Sequence, residues 1–155
     1  MSTAALDREE TGLEFLRRVV AGEVRNVPIG ETLGFRAVEV EPGRIVFAGK
    51  PGAGSLNLIG TIHGGWSAAI LDTAMALAAL TTLDARHDFT TLDLKLNFLR
   101  PIAAGAEVRA EGSVVHGGRR VVLCEGRIVD AAGKLLVHGT STCLVVPRAA
   151  PGKSQ

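Results

Sequence analysis

The stretch NLIGTIHGGWSAAILDTAMALAALTTL, residues 57–83, decides the fold. From Gly64 to about Leu83 it holds no proline and no glycine beyond its first two positions, and Ala, Leu and Met dominate. That composition predicts a helix of about 30 Å. The helix is apolar on almost every side, so it belongs in an interior and needs a sheet to bury it. One residue breaks the pattern: Asp72, nine residues after His63. An ionised carboxylate is costly to bury unless it is paired or neutralised, so Asp72 demands a partner, a solvent path or a role.

Working outward, FRAVEVE and RIVFAGK alternate apolar and polar residues about Pro42-Gly43, the pattern of a tight hairpin. After the helix the period changes to two. TLDLKLNFL, AEVRAEGSVVH, RRVVLCEGRIVD and KLLVHGTSTCLVV read as four long strands, with turns at 101–106, 117–118 and 131–133. From Leu6 to Val24, Leu13, Leu16, Val19 and Val20 recur at helical spacing among charged residues, which predicts an amphipathic covering helix. The expected fold is therefore α+β: one long central helix wrapped by a curved, mostly antiparallel sheet of about six strands, with an N-terminal covering helix. The expected division is an N-terminal helical segment over 1–30, one domain over 31–147, and a frayed tail, PRAAPGKSQ, over 148–155.

The whole-chain balance narrows the function. Among 155 residues, 46% are hydrophobic and 21% charged, as in ordinary globular proteins, and 17 Lys and Arg against 16 Asp and Glu leave a formal charge of +1. No basic field exists to gather nucleic acid or an anionic membrane, no stretch reads as a signal peptide or a membrane span, and the expected compartment is the cytoplasm. Cys124 and Cys143 fall in strand patterns without metal-ligand spacing and read as buried thiols. His87, His116 and His138 share no metal-site spacing either.

The start of the helix offers the chemistry. His63-Gly64-Gly65 puts two glycines where first-turn N–H groups lack intrahelical partners, with the helix dipole behind them, a setting suited to polarising a carbonyl and holding an oxyanion. Asp72 lies eight residues beyond Gly64, roughly 12 Å along a helix, too far to act on a carbonyl held at its own helix start. If both take part, they come from two chains whose helices run antiparallel across a two-fold axis, and the small Ala68, Ala69, Ala76 and Ala79 would permit that approach.

These residues, Asn57 followed by His63-Gly64-Gly65 and then Asp72, resemble the hotdog-fold acyl-CoA thioesterases, in particular the PaaI-like and 4-hydroxybenzoyl-CoA branch. The resemblance runs from the hairpin near Phe35 through LDLKLNFLRP to the last strand. It implies that the Gly64 N–H holds the thioester carbonyl, that Asp72 of the other subunit is nucleophile or general base, that Asn57 orients the thioester or water, and that His63 supports the loop. Gly65 completes the turn, and Thr73 stands beside the acid, where its hydroxyl could orient a water. The implied substrate is an acyl-CoA, the implied assembly a homodimer or a dimer of dimers, and no metal or redox cofactor is expected. Arg100, Gly118, Arg119 and Arg120 are candidates for the CoA phosphates. Leu58, Ile59, Trp66 and Ile70 are candidate walls of the acyl pocket, with interface packing the first reading of Trp66. A hotdog dehydratase or hydratase, or a non-catalytic acyl-CoA binding module, are the alternative functions.

Overall fold

The computed structural model describes residues 9–148. The elements run α1 (Gly12–Ala21), α2 (Pro28–Leu33), β1 (Phe35–Glu41), β2 (Arg44–Gly49), α3 (Gly64–Leu80), β3 (His87–Phe98), β4 (Val108–Gly117), β5 (Val121–Asp130) and β6 (Leu135–Pro147). All six strands form one sheet in the order β1-β2-β4-β5-β6-β3, and every pairing is antiparallel. The sheet curls around α3, from which Ile70, Leu71, Ala74, Met75 and Ala78 are wholly buried. The expected hotdog architecture is met.

Two glycines let the helix come that close. Gly112 on β4 pairs with Gly126 on β5 beneath α3. A Cβ at Gly112 would stand 2.3 Å from the Ala74 carbonyl oxygen, and one at Gly126 would stand 2.9 Å from Met75 Cγ. At Gly112, helix backbone therefore rests on sheet backbone with no side chain between them. Across the same row Gly139 pairs with Gly126 and leaves room for Leu96 of β3.

Element ends differ from the sequence reading for local reasons. The central helix stops at Leu80, before Leu83, because the hydroxyls of Thr81 and Thr82 turn back to the Ala78 and Ala79 carbonyls. Thr81 Oγ1 also accepts from the Gly43 N–H at 2.7 Å, which fastens the β1–β2 turn to the helix end. The first helix starts at Gly12, since Thr11 and Glu14 form a reciprocal capping box there; residues 6–8 of the expected helix lie outside the described residues. A short helix, α2, was not expected, although Pro28 at its first turn and Gly34 after its end are its start and stop. It crosses the expected boundary between residues 30 and 31.

Strand β3 begins four residues earlier than its alternation suggests, and it pairs with β6 rather than with its successor β4. It is consequently an edge strand. Arg148, the first residue of the expected tail, is held: its guanidinium donates to the Glu10 and His87 carbonyls and lies 3.4 Å from Asp88 Oδ1. The rest of that tail, 149–155, is outside the described residues. Both cysteines are free and buried, as expected, and burial pushes the Cys124 thiol up to about 12.

Gly112→Ala should lower stability by about 2–3 kcal/mol, because the added methyl meets helix backbone that cannot rotate aside. Urea unfolding followed by circular dichroism measures it, and a loss of only a small fraction of that size would refute the close packing.

Candidate functional site

The loop before α3 is built by one side chain. Asn57 Oδ1 accepts from the N–H groups of Ile59 and Thr61, both at 3.1 Å, and its Nδ2 donates to Thr61 Oγ1 at 2.9 Å. The Asn57 N–H closes the same loop onto the Thr61 carbonyl, and Gly60 takes the left-handed backbone that the turn needs, with φ 81°. Asn57 is thus a loop organiser first, with one Nδ2 hydrogen left for a ligand.

His63 caps the helix. Its Nδ1 accepts from the Gly65 N–H at 2.8 Å, so that nitrogen offers its lone pair and carries no proton in this arrangement. The Trp66 N–H goes to the His63 carbonyl. Of the two glycine N–H groups expected to be open, Gly65 is therefore engaged, and the Gly64 N–H alone has no partner among the described residues. Helix-terminal partial charge concentrates on that group.

The Gly64 backbone opens into a cavity of about 290 Å³ with Asn57, Thr61, Ser67, Phe98, Leu99 and Arg100 among its lining residues. The Phe98 ring covers Gly64 so closely that a Cβ there would be 3.2 Å from it. Asp72 does not line this cavity. It is half-buried further along α3, and Thr91 on β3 donates to its Oδ1 at 3.0 Å. Asp72 Oδ2 has no hydrogen-bond partner among the described residues. The sequence pattern does not single out Thr91. Strict alternation along TLDLKLNFL would place Thr91 on the face opposite Leu96 and Phe98, yet a bulge between Thr91 and Asp93 lets all three look toward the helix side.

Other expected residues separate from this site. Thr73 returns its hydroxyl to the Ala69 carbonyl at 2.7 Å, a bond internal to the helix. Trp66, 3% exposed, and Ile70, 0% exposed, are not among the residues lining this cavity. The Trp66 indole N–H donates to the Leu33 carbonyl, and its ring meets Phe35 edge-on, so it is core. Leu58 and Ile59 stand exposed on the Asn57 loop. Ala76 and Ala79 are buried within the chain, which leaves Ala68 and Ala69 as the small residues of α3 nearest Asp72 that a partner could approach.

Of the phosphate candidates, Arg100 reaches the cavity but spends Nη1 on the Leu135 carbonyl. Gly118 does not offer a free N–H, since it donates to the Val121 carbonyl across the β4–β5 turn. Arg119 and Arg120 are exposed at that turn, away from the cavity. Among the described residues no group of three His, Cys, Asp or Glu is placed to hold a metal ion, and no helix is long and apolar enough to cross a membrane.

A profile of the thioesterase superfamily matches residues 59–137, the segment holding this helix and all of the cavity lining but Asn57. The chain belongs to the thioesterase superfamily. Phenylacetic acid degradation protein PaaI from Thermus thermophilus, solved as a mutant, superposes with a TM-score of 0.71 at 35% identity, covering 76% of this chain and 98% of that one. Human acyl-coenzyme A thioesterase 13 is 25% identical over 129 residues, 82% of this chain and 91% of that protein. A putative esterase of Saccharolobus solfataricus is 42% identical over 76 residues, 49% of this chain, so the match spans about half, 53%, of that relative.

His63→Ala should cost about 1 kcal/mol of stability by leaving the Gly65 N–H without its cap. Chemical denaturation checks this; an unchanged midpoint would mean the imidazole does not cap the helix.

Proposed function

We propose that this protein hydrolyses acyl-CoA thioesters to a free acid and CoA, in a homodimer whose two active centres each combine Asp72 of one chain with Gly64 and Asn57 of the other. The observation that carries the reading is the division of the site within one chain. Gly64, whose N–H is open, lines the cavity with Asn57, whereas Asp72 lies outside it, held by Thr91. A second copy supplies the missing half.

The surface suits such a partner. β3 is a twelve-residue edge strand with one side unpaired. Leu92, Phe98 and Leu99 on and just after it are 52–57% exposed. A long apolar edge left open to water invites pairing with another chain. The face of α3 that carries Asp72 borders this strand through the Asp72–Thr91 bond. Further pairing of dimers into a tetramer is the extension of this reading.

In the proposed reaction the Gly64 N–H receives the thioester carbonyl and the oxyanion that develops on it. Thr91 occupies Asp72 Oδ1 and leaves Oδ2 to attack the carbonyl carbon or to take a proton from the attacking water. The thiolate of CoA departs without a strong acid, because thiols are already fairly acidic. His63 Nδ1 is engaged as a cap, so its part is to shape the turn. Arg119 and Arg120 stand exposed together at the β4–β5 turn, and they are proposed to meet CoA phosphates.

An acyl-CoA panel followed with a thiol reagent tests the activity; the buried cysteines keep the native protein's own signal low. Asp72→Ala should lower kcat at least about a hundredfold, and CoA release that survives it unchanged would sink the assignment. Mixing Asp72→Ala with Gly64→Pro protein should restore part of the activity through hybrid dimers that hold one intact centre. No recovery despite demonstrated subunit exchange would count against the two-chain site. Arg119→Glu with Arg120→Glu should raise KM for acyl-CoA several-fold at nearly constant kcat, an effect that weakens with salt. An unchanged KM would remove both arginines from the site.

A further inference from the structure

The cavity beside Gly64 contains a polar side chain that the reaction above leaves unused. Ser67 is only 3% exposed, lines that cavity, and has no hydrogen-bond partner for its hydroxyl among the described residues. Its neighbours behave otherwise. Thr73, Thr81 and Thr82 all return their hydroxyls to a carbonyl three or four residues back. Ser67 makes no such bond, so whatever occupies the cavity decides whether its hydroxyl is paired. A hydroxyl sealed from water without a partner is costly.

The position is informative. Ser67 follows Gly64 by three residues, so both share one face of α3, and its side chain leans toward the helix start. Ile62, Phe98, Leu99, Ile102 and Val137 give the cavity apolar walls, beside the polar Asn57, Thr61 and Arg100. A thioester whose carbonyl rests on the Gly64 N–H must send one of its two ends into this pocket. Among the described residues the one cation in the lining, Arg100, already gives Nη1 to the Leu135 carbonyl and is a poor match for the several phosphate charges of CoA, so the acyl group is the end assigned to this pocket.

Given the hydrolase reading of this site, on which the inference rests, we propose that Ser67 sets acyl selectivity. Its hydroxyl hydrogen-bonds an oxygen carried by the acyl group within a few atoms of the thioester carbon. Acyl groups bearing a hydroxyl or oxo substituent near the carbonyl are then favoured over the same groups without it. An unsubstituted acyl group leaves Ser67 dry and unpaired, and that asymmetry is what produces discrimination.

The test compares matched CoA esters that differ by one hydroxyl: 3-hydroxybutyryl with butyryl, and mandelyl (2-hydroxy-2-phenylacetyl) with phenylacetyl. Wild type should show kcat/KM at least about tenfold higher for the hydroxylated member of a cleaved pair. Ser67→Ala should bring the ratio near one, chiefly by slowing the hydroxylated ester, with the thermal midpoint confirming that the fold persists. Ser67→Cys, which keeps the shape and weakens the donor, replaces it if alanine misfolds. A wild type without preference overturns the proposal. So does a variant that keeps the wild-type ratio, or one that slows both members equally, since Ser67 would then serve the shared carbonyl or the fold. A wild type that cleaves no acyl-CoA at all overturns the hydrolase reading instead.

Discussion

The contact between the α3 backbone and the glycines of the sheet fixes the rest of the molecule. With Gly112 set against the Ala74 carbonyl and Gly126 under Met75, α3 can neither slide nor turn about its axis without driving backbone into backbone. That single seat determines where every other face of the helix points. Gly64 and Ser67 look toward the chain segment around Phe98 and Ile102, and Asp72 looks toward Thr91. Interiors packed to this density have few alternative arrangements, so helix rotation is decided once for all its functional groups.

The helix that the sheet encloses is only partly enclosed. β3 departs to the far edge of the sheet and leaves one of its sides open, and Asp72 on the face of α3 beside it stays half-buried. The apolar exposure of Leu92, Phe98 and Leu99 belongs to the same region as the two separated halves of the site. Stability and the proposed chemistry therefore make the same demand on this surface. Covering it removes apolar area from water, and a partner's α3 placed there would bring an acid to a carbonyl site that lacks one.

Much of this is legible in short-range patterns. Asp72 stands out because a carboxylate in an apolar helix is a local anomaly, and His63-Gly64-Gly65 because glycines at a helix start expose backbone donors. The hairpin and the period-two strands follow from alternation and turn residues. Other features carry quieter signals. Gly112, Gly126 and Gly139 each interrupt a strand interior, where glycine often marks the close approach of another element, and Pro28 with Gly34 frames α2. The Gly65 cap is hidden because histidine is not among the usual capping residues.

What the sequence by itself determined is the type of each long element, the burial of α3, and the spacing that keeps Asp72 from reaching Gly64 within one chain. Those properties depend on residues near one another along the backbone, where the helical rise and the two-residue strand period apply directly. The tertiary structure alone decided that Thr91 meets Asp72, that Trp66 belongs to the core, and that Ser67 looks into the cavity unpaired. Thr91 faces inward through a bulge that pure alternation conceals. Trp66 and Ser67 are adjacent in the chain, yet one packs on Phe35 and the other opens on the Phe98 side. The physical reason is that adjacent helical residues point about a quarter turn apart, and only the partners brought up by distant strands determine what each direction contains.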